Sequence, residues 1–342
     1  MKPIELWHGD CLELMKNIPD GSVDLVLTDP PYGTMKGIDD KHDWDIILPT
    51  KEMFEQLSRI VRQNGKVVLF SQEPYTSHLI NNAIVSLPFC YRAIWKKDSF
   101  GNGRMAKKAM VSLYEDILIF QNKCPNKENC EATIAFQKVI DRYGFYEIAD
   151  LMFAEGRYKD VASARTNLSK KRINDFSEKG YDNFLDERML LFLADKIELE
   201  FSPDWYLQKV KEYKRKYAMT FNLWQGGKSK SNVLEYKKDN DGYHPTQKPV
   251  ALLEDLIQTY SNEGNTVLDF TAGSMSTVIA CINTNRNCIA IEKDEHYFSV
   301  GCKRVHNHIL ENNIDLCYNQ VCGGAYLWQS SKTEQVKDMV GF

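Results

Sequence analysis

An α/β pattern that stops and later resumes is the feature that most constrains the fold. Short apolar runs alternate with helical stretches through residues 1–121 and again through 241–308, and the pattern is missing from 122–240. Continuous apolar runs separated by helices are typical of a parallel sheet covered on both faces. We therefore expect one sheet built from both ends of the chain, with 122–240 inserted between them.

The predicted elements follow from apolar runs, prolines and small residues. The run at 23–28, for example, ends at a double proline, which cannot continue a central strand. Strands are expected at 4–7, 23–28, 66–70, 91–95, 116–120, 266–269 and 288–291. Helices are expected at about 50–62, 74–85, 249–260, 276–283 and 295–308.

The remaining segments carry weaker signals. Residues 122–240 are charged and rich in Lys, Arg, Tyr and Phe, which predicts an inserted helical domain. Residues 309–342 show no clear pattern, and their role stays open. No apolar stretch resembles a targeting signal or a membrane span, so we expect an intracellular protein without a membrane partner.

The charge and the cysteines exclude two classes of protein. The net charge of −4 excludes a uniformly basic nucleic-acid coat and leaves only local basic patches for such contacts. The nine cysteines include no Cys-x-x-Cys pair, and an odd number favours reduced thiols. Cys302, His306 and His308 are closely spaced, but the missing ligand pairs favour a helix over a metal site, so we expect no metal.

Asp29-Pro30-Pro31-Tyr32 directly follows a buried strand and is the strongest motif. The two prolines fix the backbone and remove two N–H donors, which leaves a rigid turn. This turn presents the Asp29 carboxylate and the Pro30 carbonyl as neighbouring acceptors, which suits an aromatic amine with two hydrogens. The Tyr32 ring suits a stacked base. The alternative is a stiff turn with a surface tyrosine.

Three further motifs also lie at strand ends or helix starts. The turn around Gly273 and Ser274 allows a ligand to approach the backbone at a helix N-terminus, although many α/β units contain such a turn. Glu292 ends the next strand, nineteen positions after Gly273, where an acid commonly accepts hydrogen bonds from ribose. His244-Pro245-Thr246-Gln247-Lys248-Pro249 offers donors suited to a carboxylate.

Together these residues resemble the amino-methylating DNA methyltransferases. The family's Asp-Pro-Pro-Tyr stands at 29–32 and its His-Pro-Thr-Gln-Lys-Pro at 244–249. The catalytic motif precedes the cofactor motif, and this order resembles the beta group, a circular permutation. The resemblance covers about 1–121 and 241–308. It implies a Rossmann-like S-adenosylmethionine-dependent methyltransferase sheet, circularly permuted, with 122–240 as a target-recognition domain and 309–342 as a tail.

The resemblance also implies a role for each motif residue. Asp29 and the Pro30 carbonyl would hold the target amine, and Tyr32 would stack on a base flipped out of the duplex. The residues implied for S-adenosylmethionine are Asp10 at its adenine, Glu292 at its ribose, Gly273 and Ser274 at its methionine part, Thr246 and Lys248 at its carboxylate, and Asp269 in the same site.

The cofactor turn departs from the family pattern. The usual turn reads Gly-Ser-Gly-Thr-Thr, whereas this chain has Met275 in place of the second glycine, and Val278 follows where another glycine is common. If the position needs a positive φ, Met275 is strained. If it only needs room, the methionine lines the pocket. Both alternatives allow weaker cofactor binding or an inactive enzyme.

The expected reaction is methyl transfer to N6 of adenine. Catalysis would consist mostly of alignment and electrostatics, because the sulfonium is already a good leaving group. The alternatives are a cytosine-N4 methyltransferase, whose motif more often begins with Ser, and a catalytically impaired DNA-binding homologue. Methylation at cytosine C5 needs a nucleophilic cysteine, and we find no Pro-Cys-Gln motif.

Two basic patches are candidates for contact with double-stranded DNA. In the insert, a turn at Leu168-Ser169 between helices faintly resembles a helix-turn-helix reader, and a solvated charged face is an equally good interpretation. A homodimer is one alternative for the oligomeric state. The residues of the two patches are Arg92, Lys96, Lys97, Arg104, Lys107 and Lys108, and Lys170, Lys171 and Arg172.

Overall fold

The computed structural model divides into two compact units. Met1–Lys123 and Thr220–Phe342 form one, here called the sheet unit, and Cys124–Met219 form the other, the helical unit. The predicted insert at 122–240 therefore ends too late, because residues after 219 belong to the sheet unit. The residues that the structure describes are 4–34, 45–100, 106–108, 110–123, 130–169, 184–217, 219–224, 227–239, 243, 247–314, 317–321 and 325–329.

The sheet unit alternates strands and helices at both ends of the chain. Its first part contains β1 (Ile4–His8), α1 (Cys11–Met15), β2 (Val23–Thr28), α2 (Thr50–Ile60), β3 (Val61–Ser71), α3 (Tyr75–Asn81), β4 (Phe89–Lys96) and β5 (Tyr114–Gln121). After the helical unit come β6 (Val233–Glu235), α9 (Val250–Tyr260), β7 (Thr266–Asp269), α10 (Ser276–Asn283), β8 (Asn287–Glu292), α11 (Glu295–Glu311), β9 (Cys317–Val321) and β10 (Ala325–Gln329).

The described strands form one ten-stranded sheet in the order β6-β4-β5-β3-β2-β7-β8-β1-β10-β9. β2 pairs in parallel with both β3 and β7, so strands from the two ends of the chain are neighbours at its centre. The expectation of one permuted α/β sheet is thus confirmed. β5 runs antiparallel to β3 and β4, which brings the start of β5 and the end of β4 to the carboxyl edge of β3.

The sheet is covered on both faces. Leu25 and Leu27 belong to the buried core on one side, whereas Val26 belongs to the core on the other, as the alternation of side chains along a strand requires. All three are fully buried. Truncating such a leucine to alanine typically costs about 2–5 kcal/mol.

One local prediction in the sheet unit was wrong, and one segment contains strands that no pattern predicted. Asn64-Gly65 does not end a helix: α2 ends at Ile60, and Asn64 and Gly65 lie inside β3, where Asn64 has a φ of 62°. Residues 309–342, which show no sequence pattern, supply β9 and β10, and β10 pairs antiparallel with β1. Strand pairing at this sheet edge joins residues far apart in sequence, so no local pattern predicts it.

The helical unit contains five helices in its described part, namely α4 (Glu131–Tyr143), α5 (Phe145–Ala154), α6 (Val161–Ser169), α7 (Glu187–Lys196) and α8 (Pro203–Tyr217). They share a core that includes Phe136, Leu190 and Tyr206. The predicted turn at Leu168-Ser169 is wrong, because both residues are the last of α6. Within the described residues, no helix is long and apolar enough to cross a membrane.

Candidate active site

A cavity of about 1700 Å³ lies within the sheet unit, at the carboxyl edge of the parallel strands. It is lined by the turns after β1, β2, β7 and β8, and by residues near β4 and β5. Pockets for single small ligands typically measure about 300–1,000 Å³. The cavity therefore has room for two ligands side by side, as a group transfer requires.

The turn after β2 presents Asp29 to this cavity. The Tyr32 hydroxyl donates a 2.5 Å hydrogen bond to Asp29 Oδ1, and the Lys248 ammonium donates to Oδ2. The Thr271 hydroxyl, which follows β7, donates to the Asp29 carbonyl oxygen at 3.1 Å. Asp29 is thus fixed from three directions, while 24% of its side chain stays exposed.

The protonation states in this turn follow from burial and from neighbouring charges. Burial raises the pKa of Asp29, and the Lys248 ammonium opposes this shift. Burial and the nearby Asp29 carboxylate raise the pKa of Tyr32 well above its ordinary value, so its phenol stays neutral. Burial works against a charge on Lys248, but Asp29 and Glu115 outweigh it and raise the Lys248 pKa.

Two residues that sequence reasoning did not assign to catalysis extend this network. Glu115, near the start of β5, lies 3.2 Å from the Lys248 ammonium through Oε2. Its Oε1 accepts a hydrogen bond from the Lys97 ammonium. We call the series Lys97, Glu115, Lys248 and Asp29 the charge chain. Its four charges alternate in sign and sum to zero.

The turn after β7 is held by Glu292. The Gly273 N–H donates to Glu292 Oε2 at 2.7 Å, and the Asp294 N–H donates to Oε1 at 2.8 Å. Burial raises the pKa of Glu292, whereas these backbone donors lower it. Each carboxylate oxygen can accept a second hydrogen bond. Glu292 can therefore bind a ligand hydroxyl while it holds the turn.

The other predicted cofactor residues that the structure describes line the same cavity. Asp10 caps α1, where its Oδ1 accepts from the Leu12 N–H at 3.0 Å, and its Oδ2 lies 3.0 Å from the Lys293 ammonium. Ser274 is buried, and its hydroxyl lies 3.4 Å from Gln247 Oε1.

Asp269 lies at the end of β7 and is buried. It accepts hydrogen bonds from the Thr28 hydroxyl at 2.7 Å and from the Thr271 N–H at 3.2 Å. Burial raises its pKa to about 6, although the threonine donors lower it.

Met275 adopts the left-handed conformation, with a φ of 64°, so the first of the two alternatives for this residue holds. The second alternative is wrong, because its side chain is fully buried in the core and does not line the cavity. The strain of a left-handed non-glycine residue is about 1–3 kcal/mol. The cofactor turn therefore keeps the shape of a glycine turn without blocking the cavity.

The basic residues differ in availability. Lys97 is buried and donates a hydrogen bond to Glu115, so its ammonium is not available for a phosphate contact. Arg92 and Lys96 are about half exposed, with Asp116 at 3.6 Å and Glu235 at 2.9 Å. Lys107 and Lys108 are exposed. The predicted residues Arg104, Lys170, Lys171, Arg172 and Thr246 lie outside the described residues.

Lys248 is placed differently from the role that the resemblance implies. Its ammonium binds the carboxylates of Asp29 and Glu115, so a bond to a cofactor carboxylate stays a prediction. The sequence contained one indication for Glu115. It directly precedes the predicted strand 116–120, but only the antiparallel direction of that strand brings it to the carboxyl edge, and the direction was not predicted.

A partly exposed carboxylate beside the Gly273 turn, on a permuted α/β sheet, is the arrangement expected of an amino-methyltransferase. The chain belongs to the N6/N4 DNA methylase family, whose model matches residues 23–303. The family covers both N6-adenine and N4-cytosine enzymes, so membership makes the protein a DNA methylase without fixing the target base.

Known proteins similar to the chain include two curated methyltransferases. The DNA adenine methyltransferase YhdJ of Escherichia coli K12 is 27% identical over 87% of this chain and 81% of its own length. The type II methyltransferase M.HpaI of Haemophilus parainfluenzae is 23% identical over 87% of this chain and 72% of its own length. A crystal structure of an M1.HpyAVI–SAM complex, 19% identical, covers 88% of this chain and 98% of its own, with a TM-score of 0.49.

Proposed function

We propose that the protein transfers a methyl group from S-adenosylmethionine to N6 of an adenine in double-stranded DNA. The observation that carries this proposal is the placement of Asp29. Its partly exposed carboxylate lies in the same cavity as the Gly273 turn and Glu292. The relative described as an adenine methyltransferase supports adenine as the base.

The residues around the Gly273 turn fit the cofactor. Glu292 keeps acceptor capacity for ribose hydroxyls, and the turn lies at the N-terminus of α10. The bound cofactor supplies a methyl group on a positively charged sulfur, which is a good leaving group. Asp10, Gly273, Ser274 and Glu292 bind and orient it.

The chain's own residues prepare the amine. The exocyclic amine of a base is conjugated with the ring and is a poor nucleophile. Hydrogen bonds from its two hydrogens to Asp29 and the Pro30 carbonyl favour a pyramidal nitrogen whose lone pair points at the methyl group. The base must leave the duplex to reach the cavity, where the Tyr32 ring provides a stacking surface.

The helical unit chooses the DNA site in this proposal, and the sheet unit performs the chemistry. The support is its separation from the sheet unit, which contains all the described residues of the cavity. Neutralising the basic cluster at 170–172 should therefore weaken DNA binding without changing cofactor affinity.

The test uses purified protein, duplex DNA and methyl-labelled S-adenosylmethionine. We expect label in N6-methyladenine after digestion to nucleosides and mass spectrometry, and none with Asp29→Ala. Cofactor binding, measured by calorimetry, should be retained in this variant. Label in N4-methylcytosine would show that the target base is cytosine, the alternative to adenine. Cofactor binding without transfer to any DNA would favour the catalytically impaired homologue.

A further inference from the structure

We propose that Glu115 is a positioning residue for methyl transfer: it holds the Lys248 ammonium in place, so that the Asp29 carboxylate keeps one orientation towards the target amine. This proposal rests on the proposed function. The geometry of the charge chain supports it, because the four residues of this chain come from different parts of the sheet unit and meet in one place.

Asp29 is the most exposed member of the charge chain. The exposed fraction is 6% for the side chains of Lys97 and Lys248, 13% for Glu115 and 24% for Asp29. All four residues line the cavity, and Asp29 is the member most open to a substrate. Glu115 acts on Asp29 through Lys248, which lies between their carboxylates.

Each member has a restricted position. Glu115 faces one lysine at each oxygen: Oε1 accepts a hydrogen bond from Lys97, and Oε2 forms an ion pair with Lys248 at 3.2 Å. The Lys248 ammonium lies 5.1 Å from the centre of the Phe70 ring, and the Lys97 ammonium lies 5.2 Å from the centre of the Trp95 ring. These ring faces attract the ammonium groups and limit their movement.

Without Glu115, the Lys248 ammonium would have Asp29 as its remaining charge partner in the chain. A buried group that loses its counter-charge must shift its pKa or move towards water. Either response weakens the hold of Lys248 on Asp29 Oδ2, to which it donates, and so loosens the orientation of the carboxylate. Misplacement of a catalytic group by about 1 Å can cost about 100-fold in rate.

The charge of Glu115 also changes the proton affinity of Asp29. The Glu115 carboxylate raises the pKa of Asp29, so its removal should lower that pKa. Lys97 lowers the pKa of Glu115 and adds a positive charge to the chain, so its removal should raise the pKa of Asp29. The two substitutions therefore predict shifts of opposite sign.

Other groups near Asp29 do not produce this pattern. Tyr32 on the same turn and Tyr75 on α3 both have pKa values raised by burial and stay neutral. Asp269, at the end of β7, has a pKa raised to about 6 by burial. Asp269 titrates in wild type and in the variants at 97 and 115 alike. Its titration therefore cannot produce shifts of opposite sign in the two variants.

The test compares kcat against pH for wild type, Glu115→Gln, Glu115→Asp and Lys97→Met, with saturating DNA and cofactor. Ionised Asp29 is the active form, so activity falls below its pKa. We expect Glu115→Gln to lower kcat by at least about tenfold and to move the acid limb to lower pH. Lys97→Met should move it to higher pH, and Glu115→Asp should restore most of kcat.

Two controls separate positioning from general damage. Glu55→Gln breaks an exposed pair with Lys51 on α2, 3.8 Å apart, and should leave the profile unchanged. The dissociation constant of S-adenosylmethionine and the melting temperature of each variant show whether the fold is retained. Shifts of the acid limb in the same direction, or a wild-type profile in Glu115→Gln, would overturn the proposal.

A second measurement does not need methylation at all. With aspartate labelled at its carboxyl carbon, the NMR signal that is absent from Asp29→Asn reports the titration of Asp29. We expect its pKa to fall in Glu115→Gln. An unchanged pKa of Asp29 would contradict the role of Glu115. A shifted pKa in a protein that methylates no DNA would contradict only the proposed function.

Discussion

The Met275 side chain occupies the space that any side chain at position 301 would need. A Cβ atom built on Gly301 would lie 2.4 Å from Met275 Cγ and 3.2 Å from the Gly273 carbonyl oxygen. Met275 is in the cofactor turn and Gly301 is on α11. The turn therefore accommodates a methionine at a left-handed position because the facing helix provides a glycine.

This pair predicts strong coupling. Gly301→Ala forces Met275 and the Gly273 carbonyl to move and should cost about 1–3 kcal/mol of stability, together with affinity for S-adenosylmethionine. In the double variant with Met275→Gly, the clash with the methionine is absent and only the 3.2 Å contact with the Gly273 carbonyl oxygen remains, so most of the loss should be recovered. Urea unfolding and calorimetry measure both quantities, and additive effects in the double-mutant cycle would contradict the complementarity.

Glu292→Ala should weaken cofactor binding in two ways. The variant loses acceptors for ribose hydroxyls, each worth about 1.5–3 kcal/mol if buried. It also leaves the Gly273 and Asp294 N–H groups without their acceptor, so the turn itself loosens. Glu292→Gln keeps one of the acceptors and should lose less. Equal dissociation constants for all three proteins would mean that other residues bind the ribose.

Asp269 predicts a specific dependence of stability on pH. Its pKa is raised by burial to about 6 in the folded protein, above the ordinary value of 3.8. The folded state thus binds the proton more tightly, and the contribution of Asp269 to stability is present in full below about pH 4 and declines towards pH 6. A shift of this size corresponds to roughly 2–3 kcal/mol.

Asp269→Asn removes this titration. The free energy of unfolding of the variant should vary less between pH 4 and 6 than that of wild type, with the difference concentrated in that window. Asparagine keeps an oxygen that can accept from the Thr28 hydroxyl, so the fold should be retained. Parallel stability curves for the two proteins would show that Asp269 titrates normally.

The basic cluster at 170–172 tests the role of the helical unit. Neutralising Lys170, Lys171 and Arg172 together should weaken DNA binding and flatten its dependence on salt, since each lost phosphate contact removes nearly one released counterion. Cofactor affinity should stay at the wild-type value. If DNA affinity depends on salt with the same slope in wild type and in the triple variant, the cluster faces solvent. The DNA contacts would then lie nearer Lys107 and Lys108.

The sequence predicted what depends on local pattern. The turn at Asp29 and the Gly273 turn follow from prolines, small residues and apolar runs, and strands 23–28 and 266–269 have the predicted bounds. The charge chain depends on strand direction, which no single-strand pattern contains. The pairing of β10 with β1 depends on contacts across almost the whole chain. The space for Met275 depends on Gly301, which lies on a different helix, α11.

The proposed role of Asp29 as acceptor of the target amine of a DNA adenine can be tested in cells. The direct measurement is modification-detecting sequencing of DNA from cells that express wild type or Asp29→Ala, with both proteins present at equal levels. We expect N6-methyladenine at one recurring sequence with wild type and none with the variant. Methylation by Asp29→Ala within about tenfold of wild type would contradict this role, because loss of the acceptor should remove most of the transition-state stabilisation.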